Sequence, residues 1–228
     1  MTKRLFGFLL LVLTQPLAAQ DHAPATPPKK DEGPQVRFLA ERVPPNLGDV
    51  VMQVGDNKST AFTLPVNQLS EPQAASGRAF TLKTADKGTP LCPVTLPEDG
   101  KSFAVILVLA PPSAYAPVVV RTDDPDFKSG DVFFINRSAQ PVLGKVGDTK
   151  VGLRPGESRK LRPTNPVNNT YYDVAFGVQE GDKNRVISTT RWPIDNLQRS
   201  YVFFFTSTDG TTTFRAVDEF LPAPMEKP

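Results

Sequence analysis

The chain has 228 residues, 39% of them hydrophobic, with 24 prolines, one cysteine and one histidine. That length suits one large or two small domains, and roughly twice the usual share of proline excludes long helices, because proline removes a helical hydrogen bond. The formal net charge is +2, but Lys3 and Arg4 are the only charges in residues 1–19; without them the charge is zero. No electrostatic footprint for nucleic acid or anionic membrane remains.

Residues 1–19 have the layout of a secretory signal peptide: a basic start, the apolar run 5–13, then a small-residue region ending at Ala19. The run is too short to cross roughly 30 Å of hydrocarbon, so cleavage leaves no membrane span. A periplasmic or secreted location follows. Residues 20–35 (QDHAPATPPKKDEGPQ) are proline-rich and charged, a tether rather than part of a core.

Short segments rich in β-branched and aromatic residues predict strands at 36–40, 49–54, 60–64, 79–84, 103–109 and 117–121. A second set is predicted at 132–136, 142–146, 150–153, 158–161, 171–179, 185–191, 201–206 and 213–217. Gly147-Asp148 predicts a two-residue hairpin loop, Pro155-Gly156 a type II turn, and Asp209-Gly210 a type I′ hairpin. No segment carries an apolar stripe of helical period and length.

Laid together, the two sets repeat. Val36-Arg-Phe38 matches Val132-Phe-Phe134 at an offset of 96, and Val54-Gly-Asp-Asn-Lys58 matches Val146-Gly-Asp-Thr-Lys150 at 92. Lys101-Ser-Phe103 matches Arg199-Ser-Tyr201 at 98. The fold expected is all-β: two tandem immunoglobulin-like antiparallel β-sandwiches related by an internal repeat. The first occupies 36–126 and the second 127–220, with a tail at 221–228 and a polar joint at 121–130 between them.

Catalytic chemistry is hard to place. The only histidine, His22, lies in the tether, which removes a Ser–His–Asp or Cys–His arrangement from the folded body. With one cysteine, Cys92, neither an intramolecular disulfide nor a zinc site has its usual ligands; Cys92 reads as a small buried apolar residue. No catalytic, cofactor-binding or metal-binding residue is assigned. Asp123, Asp124, Asp126 and Asp131 are the one dense acidic cluster, either turn formers of a solvated joint or a calcium-stiffened hinge. Phe133-Phe134 and Phe203–Phe205 place aromatics on both strand faces, which needs cover on both sides or a partner. Trp192 is a packing residue or a sugar platform. The N-x-[ST] triplets at Asn57, Asn136 and Asn168 are read as surface turns.

The pattern Asn136-Arg-Ser-x-x-Pro141-Val, then Val146-Gly-Asp, then Leu153-Arg-Pro-Gly156-x-Ser158 resembles one in exported bacterial immunoglobulin-like β-sandwich proteins. Periplasmic accessory proteins of alginate O-acetylation are similar in this respect. The first repeat departs from it, with Leu64-Pro-Val-Asn67 in place of the Pro-Gly turn. The resemblance implies an envelope protein. The expected function is a non-catalytic binding or structural module with an envelope protein as partner. A carbohydrate-binding module or an accessory subunit for polysaccharide modification is the alternative, and a carboxylate-based hydrolase a lesser one.

Overall fold

Alternating burial appears wherever the sequence alternates, as in Ala79–Thr84, whose Phe80, Leu82 and Thr84 point inward while the residues between them do not. In the computed structural model, residues 33–110 and 113–221 are described. The signal peptide expected at 1–19, residues 20–32 of the expected tether and 222–228 of the expected tail lie outside them.

The first eight strands are β1 (Gln35–Ala40), β2 (Val50–Val54), β3 (Asn57–Lys58), β4 (Gln73–Ala74), β5 (Ala79–Thr84), β6 (Pro90–Thr95), β7 (Ser102–Ala110) and β8 (Ser113–Arg121). The next eight are β9 (Val132–Asn136), β10 (Val142–Val146), β11 (Thr149–Leu153), β12 (Ser158–Leu161), β13 (Tyr171–Glu180), β14 (Lys183–Pro193), β15 (Gln198–Thr206) and β16 (Thr212–Phe220). The first set forms sheets β4-β1-β7-β8 and β3-β2-β5-β6; the second forms β12-β9-β15-β16 and β11-β10-β13-β14. Adding eight to every label of the first pair yields the second. In both, the first strand pairs parallel with the seventh.

Finer features repeat too. A bulge falls at Leu82/Lys83 in β5 and at Phe176/Gly177 in β13, equivalent positions through their pairing with β2 and β10. Gly55 and Gly147 open the two matching hairpins at φ 56 and 57, a left-handed start only glycine adopts freely. One sequence match needs correcting. Val36 pairs with Phe103, whereas Val132 pairs with Ser200, so the equivalent of Phe103 is Ser200, not Tyr201. A one-residue slip exchanges the two faces of a strand, and Tyr201 faces the other way.

Sheets β4-β1-β7-β8 and β12-β9-β15-β16 are the inner layers. Phe38, Val105 and Leu107 enter the first sandwich's core, and Phe134, Val202 and Phe204 the second's. From the opposite faces Leu39, Ile106, Ile135, Tyr201, Phe203 and Phe205 build a third core between the two inner sheets. The aromatic runs are thus covered on both sides by the protein itself, which accounts for unbroken apolar strands.

Several expectations fail for physical reasons. Residues 60–64 form no strand; Phe62 makes only an isolated bridge to Val50. Strand β6 was hidden by Pro90 and Pro93, tolerated because it is an edge. The loop between β15 and β16 is Ser207–Thr211, with Gly210 at φ 82, its N–H donating to the Ser207 carbonyl, and Asp209 outside the left-handed region. It is a longer turn with glycine at its left-handed end, not type I′. Asn136 is no surface residue. Fully buried, it donates to the Gln140 and Leu153 carbonyls and accepts from the Ser138 N–H and hydroxyl. In the Asn-x-Ser-x-x-Pro stretch the buried Asn136 and Ser138 brace the turn from inside, while Arg137 and Ala139 face solvent.

A cleft on the open side of the second sandwich

The two sandwiches differ at one long edge. Among the described residues, β6 runs close to β8 and closes the first sandwich, while β14 makes no comparable approach to β16. The inner face of β6 and the residue just past its end carry Cys92, Val94 and Leu96, exposed by only 2%, 1% and 2%. Through the matching pairings of β5 and β13, their equivalents are Ser188, Thr190 and Trp192. Thr190 is exposed and Ser188 and Trp192 half-buried.

Across the gap the replacements are small. Ser200 stands for Phe103, Ala216 for Val119 and Asp218 for Arg121. Phe103 is buried in the first core; at the corresponding position of the second, Ser200 brings a hydroxyl in place of a ring. A cavity of about 140 Å³ opens there, walled by Val132, Tyr172, Trp192 and Ala216 and rimmed by Asp195 and Asp218. Trp192 leans on Phe176, ring centroids 5.7 Å apart, so its indole is both packing residue and cleft wall. Ala216 faces inward in register yet is exposed, because the cavity lies over it.

The rim's polar groups are partly engaged. Ser200 Oγ donates to Asp218 Oδ1 at 2.6 Å, and the Leu197 N–H to Asp195 Oδ1 at 2.7 Å. Asp131, which also lines the cavity, accepts from Arg162 Nε and the Lys128 N–H, both at 2.7 Å. That hydrogen bond holds the Arg162 guanidinium above its ordinary pKa, against the smaller effect of its burial.

The acidic cluster does not converge. Asp123 binds Arg121 at 2.8 Å, Asp124 reaches Lys160 at 3.2 Å, Asp131 turns to Arg162, and Asp126 is exposed. Among the described residues no three His, Cys, Asp or Glu side chains gather as a metal site requires. Cys92 is buried in the first core, where desolvation pushes its thiol up to about 11; such a thiol is unreactive.

Between the sandwiches lies a buried ionic knot. Glu219 accepts from Arg199 Nε at 2.7 Å, Tyr201 Oη at 2.6 Å and Arg37 Nη1 at 3.0 Å. Arg199 also donates to the Thr122 and Phe127 carbonyls and lies 4.4 Å from the Phe127 ring centroid. Burial, then the neighbouring Glu219 charge, drives the Tyr201 hydroxyl far above its ordinary value, so it stays a donor. Every partner is satisfied, as a joint between two domains demands.

The sequence missed Ser200 and Ala216, whose importance lies in what they lack. Aligning the repeats at 97 rather than 98 would have set Ser200 against Phe103. A scan of protein-family models finds none that matches this chain, and a search of curated proteins finds none either.

Proposed function

We propose that this protein is a non-catalytic, exported binding module of the bacterial cell envelope, acting through protein–protein contacts on the open side of its second sandwich. One observation carries the reading: the edge that the first copy closes with Cys92, Val94 and Leu96 is left open in the second and lined by Ser188, Thr190 and Trp192. Such open grooves and sheet edges accept a partner's strand or side chain. A photo-crosslinker at Asn196, beside the cleft, is expected to capture a defined partner in the producing cell. The same group at Glu98, at the equivalent end of the first sandwich, is expected to capture none. Equal yields from both positions would overturn the reading. Export is tested separately: the mature chain should begin near Gln20, and an intact Met1 would end that part.

A carbohydrate-binding module is the second reading, supported by Trp192 and Tyr172 beside the hydroxyl, amide and carboxylate groups of Ser200, Asn196, Gln198 and Asp218. Saturable binding on a glycan array that is lost in Trp192→Ala would favour it.

A further inference from the structure

We propose that the Trp192 cleft receives one cationic side chain, a lysine or arginine, presented by a partner polypeptide; this rests on the protein-binding reading above. The internal repeat supplies the argument. At the same end of the first sandwich, Tyr172 is replaced by Arg78 and Asp218 by Arg121, through the pairings already described. Arg78 lies over the Phe103 ring, 5.9 Å from its centroid, and donates to the Pro97 and Gly100 carbonyls. The first copy therefore covers this end with its own cation on its own aromatic ring. The second copy has lost both arginines and the phenylalanine, and has gained two aromatic walls and a carboxylate.

The charges facing the cleft agree. Asp131, Asp195 and Asp218 line it, and among the described residues no lysine or arginine does. Arg162 neutralises Asp131. Asp195 and Asp218 each use one oxygen locally, and their second oxygens have no hydrogen-bond partner among the described residues. A cation against an indole and between carboxylates is held by the ring's quadrupole and by charge-assisted hydrogen bonds. Size points the same way: 140 Å³ is well under the roughly 300 Å³ at which small-molecule sites begin. It suits a side chain that enters tip first.

Trp192 is the chain's only tryptophan, so its fluorescence reports occupancy directly. The full chain is titrated with acetyl-Gly-Lys-Gly-amide and its arginine counterpart, and in parallel with the norleucine peptide, spermidine and a neutral oligosaccharide. The basic peptides are expected to change Trp192 emission saturably, with affinity falling as salt rises to roughly 0.5 M. Asp195→Asn and Asp218→Asn, which keep the local hydrogen bonds, should each weaken binding about fivefold. Ser200→Phe, checked for folding by circular dichroism, should abolish it. An equal response to norleucine, unchanged binding in the asparagine variants, or binding by spermidine or the oligosaccharide in place of the peptides would overturn the proposal. Cross-linking at Asn196 that survives both asparagine substitutions would sink the cationic ligand while leaving the binding module standing.

Discussion

In the first sandwich, an edge strand with two prolines folds down on its neighbour and seals an apolar core; in the second, a longer strand stands away and leaves a cleft. Topology, bulge position and hairpin glycines are the same in both. The divergence therefore lies in side chains along one open side, on β14 of the outer sheet and on β15 and β16 of the inner one. The middle of the inner sheets has less freedom, because it is buried on both faces and a change there is felt in two cores. A duplicated sandwich that packs back to back keeps the doubly buried middle of its shared layers and is free to vary along its open side.

The sharpest way to break that comparison is to exchange the residues that set it. Phe103→Ser puts the second copy's residue into the first and should cost about 4 kcal/mol, the range for removing a buried aromatic. Urea unfolding would measure it; a loss under about 1 kcal/mol would mean that Phe103 is not what closes the first sandwich. Glu219→Ala attacks the contact between the copies. It leaves Arg199 buried without its carboxylate and should cost about 3 kcal/mol, near the lower end for a broken buried pair because Arg37 is partly exposed. Glu219→Gln, which keeps the shape and some of the hydrogen bonds, should cost less. An equal loss would assign the effect to packing rather than charge.

How far the sequence could be read follows from the same contrast. Strands 132–136, 142–146 and 158–161 are legible to the residue because glycine and proline turns fence them. Cys92's strand was not legible: Pro90 and Pro93 argue against any strand unless it is known to be an edge, and that is a property of the assembled sheet. The cleft was invisible for a related reason. Trp192 could be singled out as a residue type, but the space beside it comes from Ser200 and Ala216, which are ordinary until their register partners in the first copy are known.

Gly144 tests the pairing behind that register. Its equivalent in the first sandwich is Met52, opposite Leu82; Gly144 instead lies opposite Phe176. A Cβ there would come within 2.4 Å of the Ala175 carbonyl oxygen and 2.6 Å of the Phe176 ring. Gly144→Ala should therefore destabilise by about 2 kcal/mol, although alanine is the better residue for an ordinary strand. Thermal unfolding that shows a gain would mean the ring does not rest on that glycine. Ser200→Phe should move stability by less, within about 1 kcal/mol of wild type: it fills apolar space but removes the hydroxyl that Asp218 accepts from.

The smallest effect concerns the connection between the copies. Asp123 ties it to the first sandwich through Arg121 and the Lys101 N–H; Asp124 ties it to the second through Lys160. Burial opposes ionisation of Asp123, but the Lys101 N–H and Arg121 together pull its pKa below 3.8. For Asp124 the Asp126 N–H does most of the lowering and Lys160 adds to it. A carboxylate with a depressed folded value stabilises fully above its unfolded value and loses that stabilisation as pH falls through the folded one. Both side chains are partly exposed, at 33% and 34%, so solvent screening keeps the contribution small. Asp123→Asn and Asp124→Asn should then melt slightly below wild type at neutral pH, and the gap should close as the pH drops well under 3.8. A gap that persists in acid would trace the loss to altered turn geometry, and the two carboxylates would no longer count as clamps between the copies.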